Sequence, residues 1–332
     1  MDARKLKILF LGTPEFAVAS LRRLVEGGYN VVGVVTMPDK PAGRGLKLQQ
    51  SAVKEYALSA GLPLFQPEKL RDEAFLEQIR ALAPDLGIVI AFRMLPEAVW
   101  AMPRLGTFNL HASLLPHYRG AAPINWAVIN GETRTGVTTF MLNHQIDTGD
   151  ILAQREVDIT PADTAGTLHD RLMEVGSELV VETVEAIAAG RARPVSQNVI
   201  GTPASAGTSG NDGQQIIKEA PKISKDDCRI DWSQPGERIV NLVRGLSPLP
   251  GAWGVMAGPE DEIMVKIFAA EFHPACDPAA PGTIISDERT RIEVACLDGY
   301  ITLEQLQLAG KRPLPPAELL RGFKGIASYT FK

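Results

Sequence analysis

The sequence predicts an α/β domain on a mostly parallel sheet, followed by a small β-barrel. Three observations predict it. In the first half, short continuous apolar runs alternate with amphipathic segments, as in strands buried on both faces and separated by helices. Near residue 200 the chain enters Gly201–Gly213 (GTPASAGTSGNDG), which holds no residue fit for a core. Beyond Ala220 the apolar runs are short and closely punctuated by turn residues. A chain of 332 residues has length for about two domains. We expect domains over 1–200 and 220–332, joined by a linker over 201–219.

The elements follow in order. Leu6–Leu11 (LKILFL) is the first strand candidate, and Glu15–Glu26 carries Phe16, Ala19, Ser20, Leu21, Leu24 and Val25 at helical spacing. Val31–Val35 is a second strand. Ser51–Ala60 reads as a helix with Ser51 as its cap and Gly61 as its stop, and Asp72–Leu82 as another. Leu86–Ala91 (LGIVIA) is too apolar to have a wet face, and Gly106–His111 is a further strand. Pro123–Ile129 begins a helix, with Pro123 suited to its first turn. Val137–Leu142 and Ile151–Val157 read as strands, and Thr164–Ala189 as a long amphipathic helix with a stripe of Leu168, Leu172, Val175, Leu179 and Val180. The expected barrel strands are Met264–Ala269, Gly282–Ile285, Ile292–Ala295 and Gly299–Leu308.

Composition excludes several classes. There is no apolar run of about 18 residues, so no membrane span is expected. The N-terminal run ILFLG is too short for a signal-peptide core. The three cysteines (Cys228, Cys276, Cys296) form no C-x-x-C pair, which fits a reducing cytoplasm and no disulfide scaffold. A net charge of −5 does not suit a protein that coats nucleic acid non-specifically.

The first strand–helix turn is GTPEF, where only Gly12 stands in place of a G-x-G-x-x-G, so no nicotinamide cofactor is expected. The densest polar segment is Asn109 to Gly120 (NLHASLLPHYRG), which starts at the carboxyl end of a parallel strand, where open α/β sheets bind ligands. Asn109 and His111 are two apart and share a strand face. An amide beside an imidazole suits acyl-type transfer: one donates to a developing oxyanion, the other moves a proton. By itself the pair also fits a capped strand end. Gln145–Asp150 (QIDTGD) supplies Asp147, which near His111 would fix the imidazole tautomer and raise its basicity, or else would only support a turn. His111, His117 and His144 lack metal-ligand spacing, so no metal is expected. Ser113 lacks a nucleophile context, and His169 reads as structural.

Met37–Lys54 (MPDKPAGRGLKLQQSAVK) sets Lys40, Arg44, Lys47 and Lys54 against one acid, Asp39. Its P-A-G-R-G core is expected to be a mobile loop, neither helix nor strand. A cationic loop over the strand edge suits a polyanionic substrate, though it would also serve as a solvated surface loop.

Taken together, GTPEFA, PDKPAGRG, FNLHASLLPHYRGAAPINWAVINGE and IDTGDIL resemble the motifs of the methionyl-tRNA formyltransferase family, in its order. So do APKI with RIDW, VRGLSPLPGAW and LQLAGKRPL in the second half. The resemblance covers essentially the whole chain. It implies a Rossmann-like formyltransferase domain and an OB-like C-terminal barrel that binds tRNA. It implies 10-formyltetrahydrofolate as donor, methionyl-initiator tRNA as acceptor, no metal, and a monomer in the cytoplasm without membrane association. The family's catalytic triad matches Asn109, His111 and Asp147. Its folate-contacting stretch matches Ser113, Leu114, Leu115 and Pro116, with Phe92 and Leu95 expected at the pterin. Lys40, Arg44 and Lys47 are the expected tRNA contacts. Arg93 stands where the family commonly has glycine, so a differently shaped folate-pocket wall is expected. The rival readings are a folate formyltransferase acting on a nucleotide sugar or glycinamide ribonucleotide, and a non-catalytic RNA-binding protein.

Overall fold

The computed structural model of the chain describes residues 1–42, 47–198 and 217–332. Arg44, and residues 201–216 of the expected linker, lie outside the described residues. The chain forms two compact units: Met1–Gly120 with Thr135–Asp158 and His169–Glu219, and Ala121–Arg134 with Ile159–Leu168 and Ala220–Lys332.

The first unit is built on a seven-stranded sheet. Its strands run in the order Ile151–Asp158, Arg134–Met141, Thr107–His111, Leu86–Ile90, Ile8–Gly12, Val31–Val35, Leu64–Phe65. From Thr107–His111 to Leu64–Phe65 every pairing is parallel. Arg134–Met141 runs antiparallel to Thr107–His111. The strands Ile8–Gly12 and Leu86–Ile90 are buried at every position, which is why their sequences show no alternation. Phe10, Phe108 and Phe140 are the largest side chains of this core.

Local signals place the helices. Ser51 Oγ accepts the Lys54 N–H at the start of Ala52–Ser59, and Asp72 Oδ1 accepts the Ala74 N–H at the start of Glu73–Ala81. Pro123 occupies the first turn of Pro123–Ile129. The helix Ala165–Ala188 meets the sheet where the Thr139 and Thr183 hydroxyls lie 2.9 Å apart. Gly12 is explained by packing: a Cβ there would sit 2.7 Å from Ala17 Cβ, so the lone glycine lets the helix Glu15–Glu26 close against the strand.

Part of the expected loop is strand: Lys40–Ala42 pairs antiparallel with Lys47–Gln49, in register Lys40↔Gln49, Pro41↔Leu48, Ala42↔Lys47. Pro41 is tolerated because a two-stranded ribbon consists only of edges.

The second unit is an antiparallel six-stranded barrel. Its order is Ile284–Ser286, Ile292–Cys296, Gly299–Leu308, Glu262–Pro274, Ala252–Ala257, Thr330–Phe331. A bridge between Thr283 and Thr330 brings the two ends of that order together. Trp232, Ile239, Val243, Val265, Ile267, Val294, Ile301 and Phe331 share its core. The helix Gly236–Gly245 receives Pro123–Ile129, with Asn125 Nδ2 donating to Gly245 O at 2.8 Å. The sequence reading missed Ala252–Ala257 and took only Met264–Ala269 from the long strand Glu262–Pro274. The register shifts at Ile267, Ala269 and Ala270 break the alternation there. No described helix is long and apolar enough to cross a membrane.

Candidate active site

Asn109 and His111 lie on Thr107–His111, between Leu86–Ile90 and Arg134–Met141. Hydrogen bonding on both sides makes this strand rigid. His111 is 6% exposed, and its ring meets Phe140 edge to face at 6.5 Å. His111 Nε2 lies 2.8 Å from the Tyr118 carbonyl oxygen. A carbonyl can only accept, so Nε2 carries a proton. The other ring nitrogen, Nδ1, lies 3.8 Å from Asp147 Oδ2. That separation is longer than a hydrogen bond, and the carboxylate faces the ring nitrogen across it. Asp147 Oδ2 also accepts the Gly120 N–H at 2.9 Å. The structure therefore brings together His111 and Asp147, 36 residues apart. Asn109 Oδ1 is buried and has no hydrogen-bond partner. A buried acceptor of this kind in a native fold calls for an explanation such as a substrate donor.

The route of the loop that carries Asp147 is unexpected. Leu142 N–H donates to Thr107 O, so the chain leaves its strand at the end opposite His111. The loop over 142–150 nonetheless sets the Asp147 carboxylate 3.8 Å from the imidazole. Asp147 adopts φ +53°, in the left-handed region. Gly149 is demanded by a close approach: a Cβ there would lie 1.6 Å from Met141 O.

The S-L-L-P stretch is a braced turn with a cis Leu115–Pro116 peptide. Ser113 Oγ donates to His117 O at 2.7 Å, Thr138 Oγ1 donates to Ser113 O at 2.6 Å, and Gln154 Nε2 donates to Leu115 O at 2.8 Å. Leu115 is 2% exposed and packs with Phe140 and Ile151. Leu114 is half-buried and Pro116 buried. Phe92 and Leu95 pack against a separate cluster, Leu9, Leu11, Val35, Val89 and Val99 among its members. Leu142 touches both clusters and connects them. Leu95 also lines a cavity of about 260 Å³, with Glu68, Arg71 and Arg93.

Arg93 ties two loops together. Its guanidinium donates to Pro67 O at 2.6 Å and Glu68 O at 2.9 Å. Lys40 is exposed, and Lys47 lies on the ribbon by its backbone.

Sequence reasoning missed Tyr118, Arg119 and Gln197. Tyr118 and Arg119 belong to the HYRG segment already singled out, whereas Gln197 sits in a polar stretch that carries no signal. Burial lowers the pKa of Arg119, and the charge of Asp147 acts in the opposite direction. Among the described residues no group of three or more His, Cys, Asp or Glu could hold a metal.

A family described as formyl transferase matches residues 6–184, and one described as formyl transferase, C-terminal domain, matches residues 222–324. The methionyl-tRNA formyltransferase of Bacteroides fragilis is 53% identical over 333 residues, covering 100% of this chain and 99% of its own. That of Parabacteroides distasonis is 55% identical over 332 residues, covering 99% of each. Among solved structures, HypX from Aquifex aeolicus in complex with tetrahydrofolic acid superposes with a TM-score of 0.61 at 22% identity, over 96% of this chain and 48% of that one. The N-formyltransferase of Helicobacter canadensis, in complex with folinic acid and dTDP-3-aminofucose, gives 0.61 at 18% identity, over 90% and 98%. At those identities the structures speak for the fold.

Proposed function

Because the chain belongs to the formyltransferase family, and shares about half its residues end to end with relatives named methionyl-tRNA formyltransferase, we propose that it moves a formyl group from 10-formyltetrahydrofolate to the amino group of methionyl-initiator tRNA, acting as a cytoplasmic monomer. The neutral α-amine attacks the formyl carbon, a C–N bond forms, and the folate nitrogen leaves with a proton. No covalent enzyme intermediate is required.

The approach of His111 to Asp147 carries this reading. With Nε2–H engaged by Tyr118 O, Nδ1 is the nitrogen free to exchange a proton. The Asp147 carboxylate orients the ring, and the Nδ1–H of a protonated His111 serves the developing oxyanion and then the leaving nitrogen. The buried Asn109 Oδ1 supplies an acceptor for the incoming amine, and the amide nitrogen a donor for the oxyanion. Ser113, Leu114, Leu115 and Pro116 form one side of the folate site, and Phe92 and Leu95 its apolar wall. Lys40, Arg44 and Lys47 meet tRNA phosphates, and residues 220–332 form the tRNA-binding domain. Formyl transfer to charged initiator tRNA, with a nucleotide amino sugar as control acceptor, tests the assignment. Preference for the sugar would overturn it.

A further inference from the structure

We infer that Gln197 is a positioning residue for Asp147, and that Arg119 fixes the orientation in which it acts. The inference rests on the role given to Asp147 above. Gln197 is 5% exposed, so its amide must find partners inside the protein. Nε2 donates to the carbonyl oxygens of Asp147 at 2.9 Å and of Gly149 at 2.8 Å. One amide group thus clamps both ends of the D-T-G turn. On its other side, Oε1 receives Nε of Arg119 at 3.1 Å and a second guanidinium N–H from Nη2.

The direction of the clamp follows from chemistry. A guanidinium has only donors, so the amide oxygen must face it. The two donors of the NH₂ group are then turned onto two carbonyl oxygens, which can only accept. A reversed amide would set N–H against N–H and C=O against C=O. Arg119 therefore selects the working rotamer of Gln197.

The clamp addresses a specific difficulty. Asp147 is not glycine yet has φ +53°, a conformation held only where the surroundings over-determine it. The Gly120 N–H holds the carboxylate, and Gln197 holds the backbone carbonyls of Asp147 itself and of Gly149 beyond it. With both in place the carboxylate faces His111 Nδ1. Without the clamp the fold persists, because the 142–150 loop is still pinned at Leu142 and at Asp150.

The test compares Gln197→Leu and Gln197→Glu in the full chain, with Arg119→Lys and Arg119→Met as a second pair. Glutamate keeps the acceptor for Arg119 but loses both donors. We expect kcat for methionyl-tRNA formylation to fall roughly ten- to hundredfold in both Gln197 variants, the effect of a small misplacement of a reacting group. The KM values for tRNA and folate stay within about threefold of wild type, as for groups that act only in the transition state. Arg119→Lys, still purely a donor, retains most of the activity that Arg119→Met loses. Amide exchange at Asp147–Gly149 speeds up in the Gln197 variants while the sheet strands keep their protection. A kcat within twofold of wild type in Gln197→Leu overturns the inference, as does a loss that merely follows the unfolded fraction. A wild-type protein that does not formylate methionyl-tRNA instead overturns the proposed function, and the exchange measurement still reads the clamp.

Discussion

Lys54 Nζ lies 2.6 Å from Asp39 Oδ2, with both side chains largely shielded from solvent. Gln66 holds the same carboxylate through Oδ1 at 2.9 Å and also donates to Met37 O. Hydrogen bonds from Lys54 and Gln66 keep the Asp39 carboxyl below its ordinary range. One of the four cations between Met37 and Lys54 is therefore engaged at the root of the ribbon. Lys40, Arg44 and Lys47 remain as the proposed contacts for a polyanion.

This bears on salt dependence. Replacing Arg44 and Lys47 by alanine is expected to weaken tRNA binding while sparing the folate donor. Each lost phosphate contact lowers the salt slope by roughly 0.7 to 0.9. Binding measured from low to moderate salt reads the slope directly. An unchanged slope removes these side chains from the tRNA site.

Asp147→Asn isolates charge from geometry. An asparagine oxygen can still accept the Gly120 N–H, so the loop keeps its anchor. The negative charge that faces His111 Nδ1 is gone. We expect single-turnover formylation to slow by about 10²–10³-fold, as when one preorganised electrostatic contact of a transition-state site is removed. His111→Ala falls at least as far, with folate binding retained. Wild-type turnover in Asp147→Asn would remove the triad.

Gly149→Ala tests the packing of the same loop. The added methyl collides with Met141 O and forces the turn outward. Overpacking of this kind costs about 1–3 kcal/mol, readable as a lower denaturant midpoint with a parallel loss of kcat. Thr148→Ala, which trims an exposed hydroxyl bonded to Asn143 Oδ1, is expected to leave stability nearly unchanged.

Asp287 gives the clearest pH dependence. It accepts the N–H groups of Arg289, Thr290 and Arg291 and the Thr290 hydroxyl, which hold its pKa far below the ordinary carboxylate value. A depressed folded pKa contributes stability above the unfolded value near 4 and loses it as pH falls toward the folded value. Asp287→Asn is therefore expected to be less stable than wild type at pH 7. The gap narrows steadily below about pH 4. Denaturant midpoints at pH 7 and pH 3 check this, and a gap that widens in acid contradicts it.

Much of the fold was legible in local residue patterns. The continuous apolar runs Ile8–Gly12, Val31–Val35 and Leu86–Ile90 announced a doubly covered sheet because only buried strands lack a polar face. Ser51, Asp72 and Pro123 marked helix starts because capping is chemistry between near neighbours. Where a bulge interrupted the alternation, at Ile267–Ala270, the same reading lost most of a 13-residue strand. The ribbon at Lys40–Ala42 was hidden because three-residue strands carry too little periodicity to register.

By itself, then, the sequence determined the sheet, the barrel, and which residue types could carry the chemistry: Asn109 and His111 on one strand and an aspartate in a tight turn. Only the tertiary structure decided which groups meet. The approach of Asp147 to His111, the tautomer set by the Tyr118 carbonyl, and the clamp from Gln197 to a loop 50 residues earlier are all contacts made through the fold. Their partners are chosen by chain path and burial, which no spacing along the sequence encodes. Arg93 shows the same limit: its side chain ties two loop carbonyls together because the fold sets them within reach.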